Sequence, residues 1–334
     1  LKNVAAAVNS TLPSPVSCRQ HNLNLEMQLF VRVFAECLYN VVVSMKRFNP
    51  LLISVASLIA LLLPSQQANA LFNGDKHLQA GKSYLDDQAY SLALQELTVA
   101  VKENPNNITA HCMKAAALAG LMQDDDAMQE FIEALKIDKE SPEVHRELGL
   151  FYLRRGSWEE AGQQFRAVLD ANPDDLMAHG NLGVCYMQVG QYKSASEHFQ
   201  LVSKRDPINI EAHFNLGTVY ELNQQWDEAA LEFRRTIELN PRHFMAYVGL
   251  GKCMLNQGDA KSAIALQKRA IDMFPKNYWS YLVLGAAYEQ DGQSDKSSEA
   301  YRQAIKINPK DPGCRMVLDR LLKKNLAAKT GVNF

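Results

Sequence analysis

A 34-residue period runs through most of this chain. Leu148-Gly149-x-x-Tyr152, Leu182-Gly183-x-x-Tyr186 and Leu216-Gly217-x-x-Tyr220 recur at that interval, Leu284-Gly285-x-x-Tyr288 follows two intervals later, and Leu250-Gly251-x-x-Met254 fills the place between. The phase extends back to Ala80-Gly81-x-x-Tyr84 and to Lys114-Ala115-x-x-Leu118. Small residues keep the same beat (Ala93, Ala127, Ala161, Ala195, Ala229, Ala263 and Ser297). So do larger ones four positions on, at Leu97, Phe131, Phe165, Phe199, Phe233, Gln267 and Tyr301. Pro closes each unit but the second, where Lys139 stands. Units therefore start near 74, 108, 142, 176, 210, 244 and 278 without one insertion. A chain of this kind must stack equal elements, because no single unit can bury its own apolar face.

Within a unit the local pattern is helical. Val144, Leu148, Phe151 and Tyr152 share one face, Gly156 breaks the run, and Ala161, Phe165, Val168 and Leu169 form a second apolar stripe. Two antiparallel helices per unit follow, with Gly149 and Ala161 small enough for close backbone approach and Pro173 ending the second helix. Asp311-Pro312 then opens a last, capping helix over 312–324, with Val317, Leu318, Leu321 and Leu322 predicted inward. Residues 325–334 read as a tail.

These motifs resemble the tetratricopeptide repeat family over residues 74 to about 311. The resemblance implies an all-α, right-handed solenoid of seven helical hairpins acting as a non-enzymatic protein-binding scaffold. It also implies that the first helix of each unit lines a concave groove for an extended peptide or a partner helix. The groove positions here are Lys82, Arg146, Met177, Asn181, Glu211, Phe214, Asn215, Met245, Lys252, Trp279 and Leu282. Asn181 and Asn215 fall where some family members hold a peptide backbone. The basic pattern of members that bind chaperone tails does not recur. Alternatives are an accessory subunit presenting substrate to an enzyme, or small-molecule or metal binding.

Upstream, Met45-Lys-Arg, the apolar run 51–63 and Ala68-Asn-Ala70 make the three parts of a secretory signal. Thirteen apolar residues span about 20 Å as a helix, short of a hydrocarbon core of about 30 Å, so cleavage before Leu71 is expected over a membrane anchor. Residues 1–44 are expected to be a spurious or unstructured extension preceding a start at Met45. The apolar stretch 28–43 is broken by Arg32, Glu36 and Asn40 and does not read as a span. The expected setting is periplasmic or secreted.

The net charge of −2 argues against nucleic-acid affinity. His77, His111, His145, His179 and His213 recur at the period like a metal array, yet none shows a zinc-type short spacing, and Tyr247 and Tyr281 take the same place later, so packing between helices is expected. No cofactor is implied. Gly74 to Ser83 departs from a phosphate loop in its glycine spacing. Cys112, Cys185, Cys253 and Cys314 lie in units too far apart to bridge and are expected as free thiols.

Overall fold

The computed structural model describes residues 65–313, 315–319 and 322–323, and among these it is entirely helical. The residues of the leader upstream of Ser65, the extension 1–44, Cys314 and Leu321 lie outside the described residues. Between Ser65 and Ile307 fourteen helices stand in order. The N-terminal unit holds α1 (Ser65–Asp86) and α2 (Tyr90–Glu103). The second unit begins with α3 (Ile108–Gly120), α4 (Asp124–Ile137), α5 (Pro142–Arg155) and α6 (Trp158–Ala171). It continues with α7 (Leu176–Gln188), α8 (Tyr192–Arg205), α9 (Ile210–Leu222) and α10 (Trp226–Leu239). It ends with α11 (Phe244–Asn256), α12 (Ala260–Met273), α13 (Tyr278–Gln290) and α14 (Ser294–Ile307). From α3 onward odd helices start 34 residues apart, and so do even helices.

Packing inside each hairpin follows from residue size. Phe165 is fully buried, and its ring fills the space where a side chain at Gly149 would stand: an ideal Cβ there would lie 2.9 Å from Phe165 Cζ. The same replacement of a side chain by a neighbour's ring recurs at Gly183 with Phe199, Gly217 with Phe233 and Gly285 with Tyr301. The small residues facing these rings, Ala127, Ala161, Ala195, Ala229 and Ala263, are fully buried. In the last hairpin Ser297 keeps the place by donating its hydroxyl to the Gly285 carbonyl at 2.8 Å.

The turn inside each hairpin passes through a left-handed residue. Gly156, Gly190, Gly258 and Gly292 take it, with φ between 74° and 83°, but so do Gln88, Met122 and Gln224, with φ between 58° and 62°. A side chain there is strained, since its Cβ crowds the neighbouring carbonyl. Gln224→Gly is therefore expected to stabilise the protein by about 1 kcal/mol despite the usual entropy cost of glycine. Urea denaturation checks this, and an unchanged or lower midpoint would contradict it.

Two features differ from the sequence expectation. Helix α1 starts at Ser65, so the backbone of Ala68, Ala70 and Leu71 is helical: after Pro64, the run Ser-Gln-Gln-Ala-Asn-Ala-Leu contains no breaker. At the other end, Val317 and Leu318 are half-buried, whereas Leu322, expected inward, is exposed at 41%, more than a helical turn further along.

Candidate interaction face

Curvature of the second unit sets which face can hold a partner. The first helices of successive repeats touch one another (α3 with α5, α7 with α9, α9 with α11, α11 with α13), whereas no successive pair of second helices packs comparably. Elements on the shorter radius come closest, so the first helices form the inner layer.

The helix starts on this layer are fixed by caps one residue upstream. Asn107, Asp175, Asn209 and His243 accept from the backbone N–H three residues on, and Asn277 from that of Trp279. Asp175 also receives the Arg146 guanidinium at 2.7 Å. Burial raises the Asp175 carboxyl, but the Ala178 N–H and Arg146 outweigh it and hold it below the usual range.

The expected groove residues divide into three groups. Met177, Glu211 and Trp279 are exposed, Met177 at 60% and Trp279 at 39%, with the Trp279 indole 4.7 Å from the Tyr278 ring. Asn181, Asn215, Met245 and Leu282 are half-buried on the same helices, and neither asparagine amide makes a hydrogen bond within the described residues. The third group is engaged inside the protein. Arg146 is tied to Asp175, and Lys252 reaches Glu221 of the preceding repeat at 3.0 Å. Phe214 packs 5.9 Å from the Phe233 ring and 4.5 Å from His243. Phe214, placed at a groove position from the sequence, thus packs between the fifth and sixth repeats. Lys82 is exposed on α1 in the N-terminal unit. Unforeseen was Glu147, on the face in the third repeat, whose carboxyl burial pushes up while Arg154 and Arg146 pull it down.

The histidine row links helices. Each Nδ1 meets the residue nineteen positions on, in the second helix: Glu96 for His77, Glu130 for His111, Gln164 for His145, His198 for His179 and Glu232 for His213. The Nε2 atoms of His145, His179 and His213 reach the carbonyls of Lys139, Pro173 and Pro207, six residues back. Tyr247 donates its hydroxyl to the Pro241 carbonyl at 3.1 Å in the same way, which explains why Tyr and His alternate at this position. Among the described residues no three His, Cys, Asp or Glu side chains converge as a metal site would need.

In the fourth repeat alone imidazole faces imidazole, at 2.8 Å between His179 and His198. Burial and then the His179 ring hold His198 below the ordinary histidine range, with Glu197 opposing. The unfolded chain therefore binds the proton more readily. The contribution is complete above the unfolded value of about 6.5 and is lost as pH falls through it toward the folded value. Hydrogen exchange at about pH 7.5 and 5.5 is expected to show the loss concentrated in α7 and α8. Equal loss along the whole row would contradict this.

Cys112, Cys185 and Cys253 are buried free thiols, pushed up by burial to about 12, 11 and 12. On the outer side a cleft of about 480 Å³ opens between α6 and α8, lined in part by Arg166, Asp170, Tyr186 and His198. Arg166 donates to the Tyr186 hydroxyl at 3.2 Å, and Gln200 does the same to Tyr220 one repeat later, so this contact belongs to repeat packing.

Residues 125–175 and 222–278 match one tetratricopeptide repeat family profile, and residues 152–216 and 254–321 match another of the same description. Together they cover more than half of the chain. A tetratricopeptide repeat protein from Parabacteroides merdae is similar over 75% of this chain and 99% of its own, at 16% identity and a TM-score of 0.57. PilW, described as a widely conserved type IV pilus biogenesis factor, is similar over 63% and 98%, at 23% identity and 0.58. Pseudomonas aeruginosa pilF is similar over 64% and 96%, at 17% and 0.56. These likenesses concern the fold. No curated protein matches the sequence.

Proposed function

Because the chain belongs to the tetratricopeptide repeat family, we propose that it is a non-catalytic scaffold whose inner face holds an extended peptide or a partner helix, outside the cytoplasm, in envelope assembly or secretion. The observation that carries the binding face is the pairing of amides with exposed apolar groups: among the described residues Asn181 and Asn215 make no hydrogen bond with their amides, and Met177 and Trp279 stand exposed on the same layer. An asparagine amide donates and accepts at once, which suits a peptide backbone. An exposed apolar surface suits partner side chains. The envelope setting rests on the leader-like run 45–70, and the pilus biogenesis role of PilW is in keeping with it.

Affinity capture from the native cell envelope tests the reading. Wild-type protein is expected to retain a partner that the Met177→Ala, Trp279→Ala double variant loses while keeping its helical circular dichroism. Equal retention by both would refute the assigned face. For export, N-terminal sequencing of native protein is expected to begin at Leu71, and a start upstream of Met45 would refute the leader.

A further inference from the structure

Charge is distributed unequally between the two layers of the last four repeats. Helices α7, α9, α11 and α13 carry Glu211, Glu221, Lys252 and Glu289 as their only charged residues, and α7 carries none. Helices α8, α10, α12 and α14 carry nineteen. On the inner layer Glu221 and Lys252 neutralise each other at 3.0 Å, and next to it Arg146 is held by Asp175. An acidic ligand would lose hydration there without gaining a counter-charge, and a basic one would find only the exposed Glu211 at the groove positions of these helices.

Gly180 adds a second observation. It lies inside α7, where glycine weakens a helix relative to alanine, and no turn requires it. Packing does not require it either: a Cβ at Gly180 would meet nothing within 4 Å, whereas one at Gly183 would lie 2.8 Å from Phe199. The bare backbone leaves open space over Gly180, flanked along the same helix face by Met177 and Val184 and beside the Asn181 amide, in the one described helix that has no charge.

We propose that the partner segment is uncharged and apolar, and that one of its large side chains packs on the bare backbone in the open space over Gly180. This rests on the inner layer being the binding face and specifies what that face selects. Desolvated apolar contact supplies the affinity, so binding does not depend on salt.

Three fluorescein-labelled peptides of equal length test it. Each has Leu and Phe at helical spacing, with the remaining positions Ser, Asn and Gln in the first, Asp and Glu in the second, Lys and Arg in the third. Anisotropy titration against the full chain is expected to favour the uncharged peptide by about tenfold or more, with little change between about 50 and 500 mM salt. Gly180→Leu is expected to weaken that peptide about tenfold. Gly180→Ala, in the same assay, should raise the unfolding midpoint and yet weaken binding, a combination that damage to the fold cannot produce.

Preference for a charged peptide, weakening with salt and lost in Met177→Glu, would overturn the inference while leaving the inner layer as the binding face. Binding of the uncharged peptide that survives both Gly180→Leu and Met177→Glu would place the ligand elsewhere and overturn the face as well. No binding by any of the three peptides would overturn the inference.

Discussion

Phe165→Ala is expected to destabilise the protein by about 3–5 kcal/mol, among the largest effects any single change in the array can have. The ring is fully buried, fills the place above Gly149, and packs in one cluster with Ala161, Val168, Ala178, Leu182 and Cys185. Its removal leaves a cavity that hydrogen-bonded helices on both sides cannot close. Because repeat stability is roughly a sum over units and their interfaces, the loss should be local. Native-state hydrogen exchange is expected to show α5 to α7 opening first, while α11 to α14 keep their protection. Uniform loss along the chain would mean that the repeats unfold as one unit.

Phe214→Ala and Trp279→Ala are expected to part company, although both residues occupy first helices at groove positions. Phe214 contacts Phe233 and His243, so truncating it should cost about 2–3 kcal/mol, less than a fully enclosed ring because Phe214 is only half-buried. It should also loosen the joint between the fifth and sixth repeats. Trp279 keeps 39% of its surface exposed, and its truncation should leave the urea midpoint nearly unchanged while weakening partner binding. Denaturation curves of the two variants, run together, decide this. Equal destabilisation would show that the Trp279 indole is part of the core.

The all-helical repeat fold was legible because each repeat places its determinants at fixed offsets: a glycine, or Ala115 in the second, at the eighth position, a small residue at the twentieth and usually a large ring at the twenty-fourth. The space that Gly149 leaves is the space Phe165 takes, and both are visible in the linear pattern. The candidate face was less legible. Arg146 and Lys252 were placed at groove positions, but their carboxylate partners Asp175 and Glu221 lie 29 and 31 residues away, at the cap of the next repeat's first helix and in the preceding repeat. Only the stacking of one hairpin on the next brings them together. The packing of Phe214 was hidden for the same reason, since its ring meets His243 from the loop that caps the next repeat. The histidine row was understood as packing, but its unequal partners at nineteen residues' distance, and hence the singular imidazole pair of the fourth repeat, emerge only from the paired helices.

Photo-crosslinking in the native envelope tests the central claim most directly. A benzophenone side chain placed at Met177 or Trp279 on the inner layer, or at Leu231 on α10, samples opposite faces; Leu231 is as exposed as Met177, at 63%. The account expects one shared crosslinked partner at 177 and 279 and none at 231. A partner captured at 231, with 177 and 279 silent, would contradict it.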